Sequence, residues 1–254
     1  MDILDCAPTK QAVADALLKW DSFAFEEEAA SRKMVATALR HFEEWGQHPQ
    51  ARATAGVPPV ELIKVGDAPK RAPNAAHRRP LEGIRVLDLT RVLAGPVGGR
   101  TLAGERRSQS VTAFFKTLTL AFWVAHGADV LLITSPKLPD LPDVDIDTSR
   151  GKRTTQLDLA QAEDRSKLQD LVKDADVFLQ AYRPGGLADK GFGVADVVAA
   201  RPGIVYASLC AYGWNGPWKD RRGVCSWSLI AANEMLTELQ VRLACADCDR
   251  VQCG

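Results

Sequence analysis

From Leu81 to about residue 209, short apolar runs of strand length alternate with segments of helical period. That alternation constrains the fold most, because βα repeats bury both sheet faces under helices and give a largely parallel sheet. Strands are expected at 84–89, 129–133, 154–159, 176–181 and 203–209. Helices are expected after Gly95-Pro96, at 161–173 and at 194–200, the last stopped by Arg201-Pro202-Gly203. The sharpest block is 81–96, LEGIRVLDLTRVLAGP. Ile84, Val86, Leu87 and Leu89 read as a buried strand, then a tight turn with exposed backbone, then a helix start. In α/β proteins such a turn receives phosphate-bearing ligands, because free N–H groups and the helix dipole face the anion.

Upstream, residues 11–46 read as helical. Val13, Ala16, Leu17 and Trp20 share one face, as do Met34, Val35, Ala38, Leu39 and Phe42. Glu26-Glu27-Glu28 suits the negative charge favoured in a first turn. A short strand is expected at 60–65, and the proline-rich, basic 66–80 reads as a linker. The expected organisation is a helical extension over 1–65, the linker, an α/β domain over 81–223 and a divergent Cys-rich tail over 224–254.

Thirty-two basic and 32 acidic residues cancel, which argues against a general nucleic-acid or membrane-surface binder. MDILDCAPTK is acidic and lacks the apolar core of a signal peptide. The most apolar window, 111–125, is too short to span a bilayer and contains Lys116. The chain is therefore read as soluble and cytoplasmic, with peroxisome and mitochondrion as open alternatives. Four of the six cysteines crowd the end: Cys225, Cys245, Cys248 and Cys253. With no second Cys pair and no His beyond His126, they read as reduced thiols and no metal is expected.

Five blocks, in register, resemble the family III CoA-transferases, the group that includes formyl-CoA transferase, carnitine CoA-transferase and α-methylacyl-CoA racemase. They are 81–96; Gly127-Ala128-Asp129-Val130-Leu131-Leu132-Ile133; Arg150-Gly151-Lys152-Arg153 with Leu157-Asp158-Leu159; Asp174 through Gly185 with Gly191-Phe192-Gly193; and 202–221, with Tyr206, Ser208, Tyr212-Gly213, Gly216-Pro217 and Asp220-Arg221. The resemblance implies a fungal-type, truncated member with an incomplete Rossmann-like parallel sheet. Phe42-Glu43-Glu44-Trp45 with His48-Pro49-Gln50 is similar to a segment near the family's C-terminal end. Residues 1–65 are thus either the tail of a preceding family half or an ordinary helical extension.

The family's function implies transfer of CoA between an acyl-CoA and a carboxylic acid, with acyl-CoA as substrate and an interlocked homodimer. Its mechanism uses an Asp carboxylate as covalent nucleophile. Carried over by motif, the CoA-contacting residues are Val92, Leu93 and Ala94 after the first strand, Lys152, and Ala181 with Tyr182. Arg150 and Arg153 complete a basic cluster suited to the phosphates of CoA. Ala181 replaces the family's Asn, and Cys210 stands where some members have Lys, so altered ligand contacts are expected. No catalytic residue can be assigned. The family pattern stops after Gly223, and Asp247 and Asp249 lie in the tail without family context. Asp88 and Asp158 belong to strand-end motifs better explained by turn hydrogen bonds. Racemase chemistry, which needs a His–Asp pair, and a catalytically dead remnant are the alternatives. Residues 104–124 interrupt the family helix and read as a translated intron.

Overall fold

The computed structural model describes residues 3–69, 79–103, 126–223 and the backbone of 240–245. The insertion at 104–124, most of the proposed linker and most of the tail, with Asp247 and Asp249, lie outside the described residues. The chain divides into two compact units: Met1–Pro59 with Cys210–Gln240, and Val60–Leu209 with Val241–Gly254. No described helix is long and apolar enough to cross a membrane.

The first unit is built on four short helices: α1 (Lys10–Leu17), α2 (Ser22–Ser31), α3 (Phe42–Gln47) and α4 (Pro49–Thr54). Thr9 caps α1 and Asp21 caps α2 through side-chain oxygens, satisfying backbone donors that the first turn leaves unpaired. The continuous helix expected over 11–46 does not form. After α2, Lys33 takes φ +59°, its N–H donates to the Ala30 carbonyl and that of Met34 to the Ala29 carbonyl. This ends the helix in a left-handed turn. Residues 34–41 then run without helix, because a buried carboxylate holds them. Glu26 accepts from the Ala38 amide at 3.0 Å and from both terminal nitrogens of Arg40. Glu26 is thus a buried anchor inside α2 rather than first-turn charge, and pairing makes its burial tolerable.

This unit is cross-linked by polar groups. The amide of Gln50, fully buried, donates to the carbonyls of Tyr212 (2.6 Å) and Asn215 (2.8 Å) and accepts from the Trp218 amide (2.7 Å). His48 stacks on Trp45 at 4.9 Å and lies 4.4 Å from the Trp218 ring. The Arg221 guanidinium sits 4.2 Å over Trp218, within cation–π range. The segment resembling a family tail, 42–50, therefore docks on residues 211–221.

The second unit holds a seven-stranded sheet: β1 (Val60–Lys64), β2 (Arg85–Leu89), β3 (Asp129–Thr134), β4 (Arg153–Gln156), β5 (Val177–Gln180), β6 (Val205–Cys210) and β7 (Gln240–Cys245). Their order is β1-β7-β6-β5-β2-β3-β4, and every pairing described is parallel. Its helices are α5 (Ala94–Leu102), α6 (Pro142–Thr148), α7 (Ala162–Lys173) and α8 (Val194–Ala200). The Rossmann-like α/β class stands. Alternate strand residues feed opposite faces. Leu87, Leu89, Ile133 and Phe178 pack with Leu168 and Val172 of α7 and Val197 of α8. Val86 and Val130 pack with Ala103 and Ala128 on the other face. Burial of each such side chain is worth about 1.5–3 kcal/mol, so the apolar strands define this unit's core.

Two expected strands shift. The strand expected at 154–159 ends at Gln156, because the Asp158 amide donates to the Asp164 carboxylate and Asp158 accepts from the Ala160 amide. That closes a turn into α7. The strand expected at 203–209 begins only at Val205, after a turn at Gly203 with φ +89°.

Candidate functional site

The strand order sets the site. From β2 the chain steps outward through β3 and β4, then crosses back to β5 on the other side of β2. The crevice beyond the carboxyl ends of β2 and β5 is therefore a topological switch point, where open α/β sheets bind ligands. The loop after β2 (residues 90–93) and the loop after β5 (Ala181, Tyr182) flank it.

A cavity of about 460 Å³ opens beside it, at the ends of β2, β3 and β4. Thr90, Arg91 and Val92 form one wall, and Thr134, Ser135, Thr155 and Gln156 supply hydroxyls and an amide from the strand ends. Leu138, Asp140, Asp145 and Thr148 close the outer side. The polar strand ends and α6 were not singled out by sequence. The only hint was the hydroxyl-rich Thr154-Thr155-Gln156.

A buried ion pair fixes the wall. Asp88 and Lys152 have fully buried side chains, with Lys152 Nζ 2.8 Å from Asp88 Oδ2. Lys152 also donates to the Pro96 carbonyl at 2.8 Å. The other Asp88 oxygen accepts from the Thr90 hydroxyl (2.5 Å) and amide (3.1 Å). Burial pushes the Asp88 carboxyl up, while Lys152 and Thr90 pull it back toward the charged form. One lysine thus joins the end of β2 to the first turn of α5. Close approach of that helix needs glycine: a Cβ at Gly95 would overlap Thr90, and one at Gly99 would overlap the Asp88 carboxylate.

Here the side chain of Lys152 is buried, and its ammonium bonds to Asp88 and the Pro96 carbonyl. Its neighbours are paired as well: Arg153 grips Asp129 (Nη2–Oδ2 2.5 Å) and Arg150 lies 3.7 Å from Asp147. Asp88 does make turn hydrogen bonds to Thr90, but its larger role is the ion pair.

Val92 lines the cavity. Leu93 and Ala94, half-buried, begin α5. Tyr182 is half-buried beside β5. Its amide donates to Gln180 Oε1 at 2.7 Å, and Gln180 in turn donates to Ser208 Oγ at 3.0 Å. Burial pushes the Tyr182 phenol up, against the opposing pull of the Arg91 charge. Cys210 is buried and its thiol donates to the Gly213 carbonyl. Burial pushes that thiol up, away from thiolate chemistry. Among the described residues no three His, Cys, Asp or Glu side chains gather as a metal site.

The comparisons with known proteins converge. The model of CoA-transferase family III matches residues 120–227. The chain is 34% identical to the acetyl-coenzyme A transferase nodX of Hypoxylon pulicicidum, over 81% of this chain and 32% of that protein. It is 29% identical to an acyl-CoA transferase of Gibberella moniliformis, over 87% of this chain and 36% of the relative. Identity to the succinyl-CoA:glutarate CoA-transferase of Mus musculus is 31%, over 57% and 31% of the two chains. Among solved structures, a CAIB/BAIF family protein from Brucella suis is similar at 29% identity and a TM-score of 0.44, covering 58% of this chain and 37% of that one. The chain spans about a third of the length of these curated relatives.

Proposed function

The matching stretch belongs to CoA-transferase family III, and we propose that its switch-point crevice holds acyl-CoA for transfer of CoA to a carboxylic acid. The observation that carries this reading is the 460 Å³ cavity walled by Thr90, Arg91 and Val92. It opens at the ends of β2, β3 and β4, beside the switch point between β2 and β5 where a doubly wound sheet receives nucleotide-bearing ligands. In this reading Val92, Leu93 and Ala94 face the ligand from one side of the switch point and Ala181 with Tyr182 from the other. The hydroxyls of Thr90, Thr134 and Ser135 suit the amide- and hydroxyl-rich parts of CoA.

In this reading the covalent step uses the aspartate that the family carries downstream of the stretch matched here, and no residue of this chain is assigned that role. A carboxylate attacks the acyl-CoA carbonyl and CoA thiolate leaves; the thiolate then attacks the aspartyl carbonyl of the mixed anhydride and releases the donor carboxylate; the acceptor carboxylate attacks the aspartyl thioester, and the expelled thiolate attacks the acceptor's acyl carbon in the new anhydride, giving the acceptor's CoA thioester and the free aspartate. Asp88 does not serve, because its carboxylate is consumed by Lys152 and Thr90. An interlocked homodimer is the proposed partner arrangement.

Calorimetric titration of the chain with CoA tests the reading: saturable binding is expected, weakened when Val92→Trp fills the crevice. A flat titration to millimolar CoA sinks it. Intact-mass measurement after incubation with acetyl-CoA separates the chemistries. A CoA adduct on an acidic residue reports a transferase nucleophile in this chain, whereas exchange of the α-hydrogen for deuterium without acyl transfer reports a racemase.

A further inference from the structure

Five cations on or beside β2–β4, α5 and α6 are spoken for. Lys152 pairs with Asp88, Arg153 with Asp129, Arg100 and Arg150 with Asp147, and Lys137 with Asp158. Arg91 differs. It lines the cavity, and its guanidinium donates across the mouth to a neutral acceptor, the Pro139 carbonyl, at 2.7 Å. No carboxylate pairs with it among the described residues. Its charge therefore faces the cavity unneutralised.

The loop that it holds, residues 135–141, carries the acidic Asp140 over the same cavity. Its other ties are the Lys137 amide to Ser135 Oγ, the Leu138 amide to the Ser135 carbonyl, the Leu141 amide to Asp145, the Val144 and Asp145 amides to the Leu141 carbonyl, and an ion pair between the exposed Lys137 and the partly buried Asp158.

We infer that Arg91 is an anion-exchanged latch: without ligand it ties the acidic 135–141 loop across the cavity, and a phosphate of the ligand takes the guanidinium from Pro139 and frees the loop. The exchange is favoured because a guanidinium–phosphate contact is charge-assisted and can be bidentate, whereas the bond to Pro139 is a single bond to a neutral oxygen. Releasing the loop also takes the Asp140 carboxylate away from the incoming phosphate. The inference rests on the crevice being a CoA site, and it adds both the residue that reads the phosphate and the movement that follows.

The test pairs two probes, CoA and inorganic pyrophosphate, with amide hydrogen exchange across residues 137–141. In the unmodified chain either probe should speed exchange in this loop. In Arg91→Gln, which keeps a donor for Pro139 without the charge, affinity for both should fall by about tenfold or more, with the loop still protected. Arg91→Lys should lose less, keeping the charge but not the fork. Unchanged far-ultraviolet dichroism shows that each variant is folded. If CoA binds and Arg91→Gln binds it equally well, the latch is wrong and the CoA reading survives. If pyrophosphate binds through Arg91 and CoA does not, the latch survives and the CoA reading falls. Binding of neither probe overturns both.

Discussion

Among the described residues each unit holds a buried ion pair, and the two are built differently. Asp88–Lys152 sits beneath a helix on a largely apolar sheet, with the Thr90 hydroxyl and amide and the Pro96 carbonyl completing its hydrogen bonds. Glu26–Arg40 sits in a unit where Gln50, His48, Trp218 and Arg221 also make polar or ring contacts. Remove the ion pair from the sheet unit and its apolar core still defines the strands. The helical unit has little else: Leu18, Phe23, Leu39 and Phe42 are exposed, and its buried cluster is Tyr212 and Trp218 with Trp45 and Ala211 packed against it. A fold specified by burial of apolar area tolerates change gradually. One specified by a few buried polar contacts fails when a single partner is lost.

The largest expected effect is at the sheet pair. Lys152→Met leaves the Asp88 carboxylate buried and unpaired, and should cost about 3–5 kcal/mol in denaturant unfolding. Adding Asp88→Asn should recover part of that loss. A single-variant cost below about 1 kcal/mol would show that the pair is not a buried lock. Next is Gln50→Leu, which strips partners from the Tyr212 and Asn215 carbonyls and the Trp218 amide and should cost about 1–3 kcal/mol net, because the part-buried groups regain water. Its signature should be local: faster exchange across residues 211–221 with the β2, β3 and β5 amides unchanged. Equal loosening of the sheet would erase the contrast between the units.

A pH effect should follow from His48. Its Nδ1 accepts from the Gln50 amide at 3.1 Å, capping α4. Burial, then the Arg40 charge, holds its pKa below the ordinary 6.5. The unfolded chain therefore binds the proton more readily. This contribution to stability is complete above about pH 6.5 and is lost as pH falls toward the folded value. His48→Asn keeps a capping acceptor and should flatten that dependence in thermal melts between pH 5 and 8; an unaltered slope would assign it to other groups. The smallest effect is at Lys33. Lys33→Gly relieves a left-handed residue at the helix end and should stabilise the helical unit by up to about 1 kcal/mol. A loss of stability would mean that the Lys33 side chain itself contributes there.

Strands β2, β3, β5 and β6 were legible because they are short apolar runs whose burial does not depend on distant partners; β7, in the stretch read as a divergent tail, was not. Val86 and Leu87, or Val130 and Leu131, read as buried from their own segment alone. The loop after β2 was legible for the same reason, through the turn that Gly95-Pro96 imposes. The region 34–42 was misread because its apolar residues fall at helical spacing while the decisive residue, Glu26, lies 12 positions before Ala38. The ion pair of Lys152 was hidden likewise. In sequence it stands in a basic cluster, and its partner Asp88 is 64 residues away. The polar rim of the cavity escaped notice because hydroxyls at strand ends carry no periodic signal.

By itself the sequence determined the α/β class, the strand and helix alternation after Leu81, and the resemblance to CoA-transferases, all of which rest on local pattern and motif order. Only the tertiary structure decided which charges are spent and which are free. It turned Lys152 inward to Asp88, spread the 150–153 cluster over separate carboxylates, and left Arg91 facing the cavity with a single neutral acceptor. The physical reason is that an ion's role depends on what solvates it. In a folded chain the solvating groups come from segments that no local pattern connects.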